Sequence, residues 1–136
     1  MQLPEALSFS EPTLIVRCDQ YHAEFFMADG TLIESLETMT RQKNVYSDNE
    51  ASNANPGASS EDALADLKHF ASRIAEGLTV LKRDGGLERI FLACEAEMGN
   101  YILEHLTSEV SAIIKKHLKV NVMKENPVAL VERFQT

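Results

Sequence analysis

Asp29-Gly30 stands between two strand-like runs, Tyr21 to Ala28 and Thr31 to Leu36. Asp-Gly in that setting is the strongest short-range signal for a hairpin, since a type I′ turn needs positive φ at both central residues. A third run, Thr13-Leu14-Ile15-Val16-Arg17-Cys18, precedes them and is closed by the polar pair Asp19-Gln20. It is short, apolar and β-rich, as a buried strand is. The opening third of the chain is therefore expected as a three-stranded antiparallel meander, preceded by a loose, flexible lead-in at 1–12 punctuated by Pro4 and Pro12.

The pattern then changes period. Leu64, Leu67, Ala71, Ile74, Leu78 and Leu81 form one apolar stripe at helical spacing, with Phe70 beside it. Ser59 is expected as the cap, with Asp62 three residues on, and Gly85-Gly86 as the stop. Glu88 to Cys94 reads as a second buried strand and Glu95 to Leu106 as a helix. A further helix, capped by Thr107 or Ser108, is expected through Val110, Ile113, Ile114, His117 and Leu118. Val120, Val122 and Met123 suggest a short strand, and Asn126-Pro127 opens a last helix with Val128, Val131 and Phe134 on its buried face. Strands alternating with helices join a sheet in parallel. The expected fold is a single α/β domain over 13–136, with a five-stranded mixed sheet and helices on its faces. The 136 residues suffice to bury such a core without staples.

Between meander and helix, residues 40–60 hold four Asn and four Ser and only isolated large apolar residues, Val45 and Tyr46. A connection of that length inside a small domain usually carries function. Arg41, Gln42 and Lys43 at its start, and Asn55 near its end, are candidate binding residues. Lys115, Lys116 and Lys119 form the densest basic run and are a second candidate contact for RNA phosphates. The plainer reading of these lysines is cations at a helix carboxyl end. Broad nucleic-acid binding is disfavoured, because 21 acidic residues outnumber 13 basic ones and leave a net charge of −8.

Asp19, Glu95 and Glu97 fall just past the carboxyl ends of expected strands, where ligands of open α/β sheets bind. Three carboxylates there are a candidate Mg²⁺ set for a nuclease or phosphoesterase; the plainer reading is a turn aspartate and two solvated helix-start glutamates. The four histidines show no metal-ligand spacing. Cys18 and Cys94 lie in apolar runs and are expected as buried, reduced thiols rather than a disulfide. No cofactor, signal peptide or membrane span is expected, and the chain is read as cytoplasmic. The exposed edge of the third strand is a candidate homodimer contact.

The segments TLIVRCDQYHAEFFMADG, ERIFLACEAEMGNYILEHL and IIKKHLKVNV, in this order around a polar loop and a long helix, resemble the bacterial host attachment protein family. That family is similar in fold to the middle domain of archaeal and eukaryotic class-1 peptide release factors. The resemblance covers residues 13–134 and implies a ribonuclease-H-like α/β fold. It implies a non-enzymatic module linked to translation or the ribosome, or a protein-interaction domain in host or surface attachment without an RNA role. Release-factor catalysis is not implied. The Gly-Gly-Gln tripeptide of those factors has no counterpart in Ser47 to Ser60, where Asn55-Pro56-Gly57 is the nearest feature, and Gly85-Gly86 is followed by Leu87.

Overall fold

A computed structural model describes residues 1–41 and 56–135, with the side chains of 56–62 excepted. The elements run β1 (Phe9–Cys18), β2 (His22–Gly30), β3 (Leu32–Thr40), α1 (Pro56–Gly85), β4 (Ile90–Ala93), α2 (Ala96–Glu104), α3 (Ser108–Ala112), β5 (Ile114–Leu118) and α4 (Pro127–Gln135). The strand order is β3-β2-β1-β4-β5. β1 pairs antiparallel with β2, and β2 with β3, while β4 joins β1 and β5 joins β4 in parallel. The mixed five-stranded sheet expected from the sequence is thus present.

Alternation along the central strands sends side chains to two separate cores. Leu14, Val16 and Cys18 of β1, with Ile90 and Leu92 of β4 and the adjoining Cys94, face α1, α2 and α3. Ile15 of β1 and Phe91 and Ala93 of β4 face α4 and the N-terminal segment. A strand covered on both faces has to be apolar at nearly every position, which is why these two runs show no polar alternation. In α1 the buried stripe is Leu67, Phe70, Ala71, Ile74, Ala75 and Leu78; Leu64, expected on it, is exposed. Gly86 ends the helix with φ +63°, its amide donating to the Lys82 carbonyl.

Five expectations are corrected. The first twelve residues are not a loose lead-in. Leu3, Leu7 and Phe9 are buried in the second core, Glu5–Leu7 form a 3-10 turn, and the Met1 amine donates to the Ile33 carbonyl. The β2–β3 turn is not type I′: Asp29 pairs with Leu32, and of the two residues between them only Gly30 has positive φ, at 59°. Glycine at the first central position is the signature of the II′ alternative. Helix α1 begins at Pro56 rather than after Ser59, with proline in the first turn where its missing N–H costs nothing.

The other two corrections concern the C-terminal part. The helix capped by Thr107, whose hydroxyl accepts from the Val110 amide, stops at Ala112. Ile114–Leu118 is a strand instead. The spacing of Ile113, Ile114, His117 and Leu118 fits a helix, but the outer side of β4 offers backbone donors that need partners. The Ile90 amide donates to the Ile113 carbonyl and the Cys94 amide to the Leu118 carbonyl. The expected strand at 120–123 is a loop. It turns over the sheet's end, buries Val122 in the second core, and gives the Val122 and Glu125 carbonyls to the Arg17 guanidinium. Among the described residues no helix is long and apolar enough to cross a membrane.

Candidate functional site

The carboxyl ends of β1 and β4, the start of β2 and the end of β3 meet one end of α1. Asp19 makes the β1–β2 turn: its Oδ1 accepts from the Tyr21 and His22 amides, both at 2.7 Å, and its own amide donates to the His22 carbonyl. This is the local use for which a short carboxylate after a strand is suited. The turn projects Tyr21, which is 57% exposed. The Arg41 amide donates to the Tyr21 carbonyl, its guanidinium lies 5.4 Å from the Tyr21 ring centre, and Nη2 donates to the Ala63 carbonyl of α1 at 3.0 Å. Arg73 Nη1 donates to the Thr40 carbonyl. On the other side of α1, Lys68 Nζ stands 5.4 Å from the Tyr101 ring centre. The Tyr101 hydroxyl donates to Glu97 Oε1, and that bond to a carboxylate raises its pKa above the ordinary tyrosine value.

Asp19, Glu95 and Glu97 do come to one place, a small pocket completed by Gln20, Leu67 and Met98. They do not converge as ligands. Among the described residues no group of three or more His, Cys, Asp or Glu side chains is placed to hold a metal ion. Asp19 is turned to backbone amides and Glu97 to Tyr101. The space between them, about 10 Å³, has room for about one water. As placed, the three carboxylates share a pocket without forming a metal-binding set.

The lysines are not the carboxyl end of a helix, since Lys115 and Lys116 lie on the edge strand β5 and Lys119 just beyond it. Two of them have work inside the fold. Lys115 Nζ donates to the Ala112 carbonyl at the end of α3. Lys116 Nζ donates to the Phe134 carbonyl in α4 and lies 5.0 Å from the Phe91 ring centre. Lys119 is exposed. Arg41 follows β3, at the opposite edge of the sheet, roughly 19 Å away for four strand spacings. The two basic groups named from the sequence are not one patch. Gln42, Lys43 and Asn55 lie outside the described residues.

The fold has counterparts among solved structures. It matches the crystal structure of an archaeal translation termination factor, aRF1, with a TM-score of 0.55 at 13% identity. The match covers 90% of this chain and 37% of that one. A second solved structure, of an archaeal protein, matches with a TM-score of 0.53 at 13% identity over 91% of this chain and 36% of its own. At that identity the likeness is one of fold: this chain has the architecture of a release-factor domain and spans little more than a third of the length of either protein. No protein-family model matches the sequence. No curated protein matches it either.

Tyr21, Lys68 and Tyr101 are not among the candidate site residues that the sequence suggests. Tyr21 carries a weak signal, an aromatic placed directly after the Asp-Gln strand stop. Lys68 and Tyr101 carry none, because their pairing depends on how α1 packs against α2. The β3 edge is real, but the register slips between Phe25 and Phe26, where Leu36 is the extra residue of a bulge flanked by Glu34 and Glu37. A bulge and charges on an edge oppose strand addition.

Proposed function

We propose that this chain is a non-enzymatic binding module of the translation apparatus, working in the cytoplasm and contacting ribosomal RNA through the end of the domain where β3 leads into α1. The observation that carries this reading is the release-factor fold over 90% of the chain. The matched part is inferred to be the middle domain of that factor. The exposed Tyr21 ring with the half-buried Arg41, and the half-buried Tyr101 ring with the exposed Lys68, bring aromatic and cationic groups to this end, the groups that stack on bases and neutralise phosphates. The missing Gly-Gly-Gln tripeptide removes the chemistry of peptide release from the proposal. Co-sedimentation of the intact chain with ribosomes, at low and high salt, tests it. Binding that is lost at high salt, and weakened by Tyr21→Ala and Arg41→Ala, is the expected result. Equal absence of binding at both salt levels refutes it.

A second reading is a protein-interaction domain of the host attachment type, without an RNA role. The net charge of −8 favours it over a broad RNA surface. A chain that ignores ribosomes but binds a basic protein partner in a salt-sensitive way supports this second reading.

A further inference from the structure

The register of β1 against β4 pairs Leu14 with Ile90 and Val16 with Leu92. Extended one residue past its last pair, Arg17 with Ala93, this register sets Cys18 against Cys94 on the same core face, and the two thiols are in contact. Neighbouring strands run about 4.8 Å apart, within the window of Cα separations, about 4.4–6.8 Å, that a disulfide spans. Both cysteines are free. A third group completes the cluster. His117 of β5 places Nε2 3.7 Å from Cys94 Sγ and 3.3 Å from the Cys94 carbonyl oxygen. The imidazole fits there only because residue 99 of α2 is glycine: a Cβ on Gly99 would lie 2.3 Å from His117 Cε1. Cys18 and Cys94 are sealed, at 1% and 0% exposure, whereas His117 is half-buried and joins the pair to the surface.

We propose that Cys18 and Cys94 are a reversible dithiol–disulfide pair, oxidised by peroxide, with His117 as the residue that positions and stabilises the reacting Cys94 sulfur. With the proton on Nε2, His117 donates to the Cys94 carbonyl and stands where it can also donate to a Cys94 thiolate. The Cys94 thiol gives its proton to water, the thiolate attacks one peroxide oxygen, the O–O bond breaks, and the departing hydroxide takes that proton back from solvent to leave as water. Cys94 is then a sulfenic acid. Cys18 sulfur attacks it, the S–O bond breaks, and the released hydroxide takes the Cys18 proton and leaves as a second water. Two thiols lose two electrons and one peroxide is reduced to two waters. The assignment of roles follows from the surroundings. His117 Nε2 lies beside Cys94 Sγ and no such group is placed beside Cys18 among the described residues, which makes Cys94 the attacking and Cys18 the resolving sulfur. Because both sulfurs are sealed, local opening gates the reaction and makes it slower than that of a free thiol.

The test is hydrogen peroxide added to the native, reduced chain, followed by alkylation of remaining thiols, intact mass and peptide mapping. The expected product has lost two hydrogens, carries a Cys18–Cys94 crosslinked peptide, and returns to two alkylatable thiols with dithiothreitol. His117→Gln is expected to slow its formation severalfold without abolishing it. Two free thiols in the native chain, under conditions that oxidise the urea-unfolded chain, overturn the proposal, as does a crosslink between two chains. An unchanged rate in His117→Gln overturns the role given to that residue. The mapping uses the unaltered chain, so the result does not depend on a cysteine variant folding.

Discussion

Arg17→Ala should cost this domain about 3 kcal/mol of stability. Arg17 sits in the middle of the apolar run that forms β1 and is only 6% exposed. Its Nε and Nη2 donate to Glu24 Oε2 at 3.2 and 2.9 Å, and its Nη1 donates to the Val122 carbonyl at 3.3 Å and to the Glu125 carbonyl. The guanidinium also lies 5.3 Å from the Phe26 ring centre. Breaking a buried ion pair by removing one partner costs roughly 3–5 kcal/mol. The lower end applies because the Glu24 side chain is 28% exposed and regains water. At this chain length about 3 kcal/mol corresponds to a fall in Tm of roughly 10 °C. Urea unfolding measures the loss, and amide exchange locates it: protection should fall in 119–126, which Arg17 ties to the sheet. Arg17→Lys should recover little, since an ammonium cannot span the carboxylate and both carbonyls as a guanidinium does. A loss below about 1 kcal/mol, with 119–126 still protected, would refute the claim that Arg17 anchors the loop.

Gly99→Ala should destabilise by about 1–3 kcal/mol through the clash with His117. The double variant Gly99→Ala/His117→Ala should recover most of that in a double-mutant cycle by thermal melts. Asn126→Ala removes the side-chain oxygen that accepts from the Ala129 amide at 2.8 Å and should cost about 1 kcal/mol by urea titration. Burial holds the His117 pKa below its ordinary value. The unfolded chain therefore takes up a proton before the folded one does, so stability present above pH about 6.5 declines as the pH falls toward the lowered value. His117→Gln should flatten that decline in melts run across the window, and an unchanged slope would assign it to other groups.

The sequence by itself determined the elements whose cause is local. The Asp29-Gly30 turn residues placed the β2–β3 hairpin, with Gly30 supplying the positive φ. The stripe from Leu67 to Leu78 announced α1, and the apolar runs around Val16 and Leu92 announced two strands buried on both faces. Asn126-Pro127 marked the start of α4. The position of three carboxylates at one end of the sheet was also legible, since strand ends dictate it. Where the reading failed, the deciding partner was distant in the chain. Ile114–Leu118 satisfies a helical period but is a strand because β4 had an open edge to fill. Residues 120–123 look like a strand but are a loop because β5 already held that edge and Arg17 claimed the carbonyls. Residues 1–12 look loose but are ordered because the second core lacked cover between α4 and the sheet. The chemistry of the candidate sites divides in the same way. That Cys18 meets Cys94 and His117, and that Asp19, Glu95 and Glu97 share a pocket without sharing a ligand position, depends on strand register and side-chain direction. Those are fixed only when the sheet forms, because a one-residue slip of β1 or β5 would send Cys18 or His117 to the opposite face.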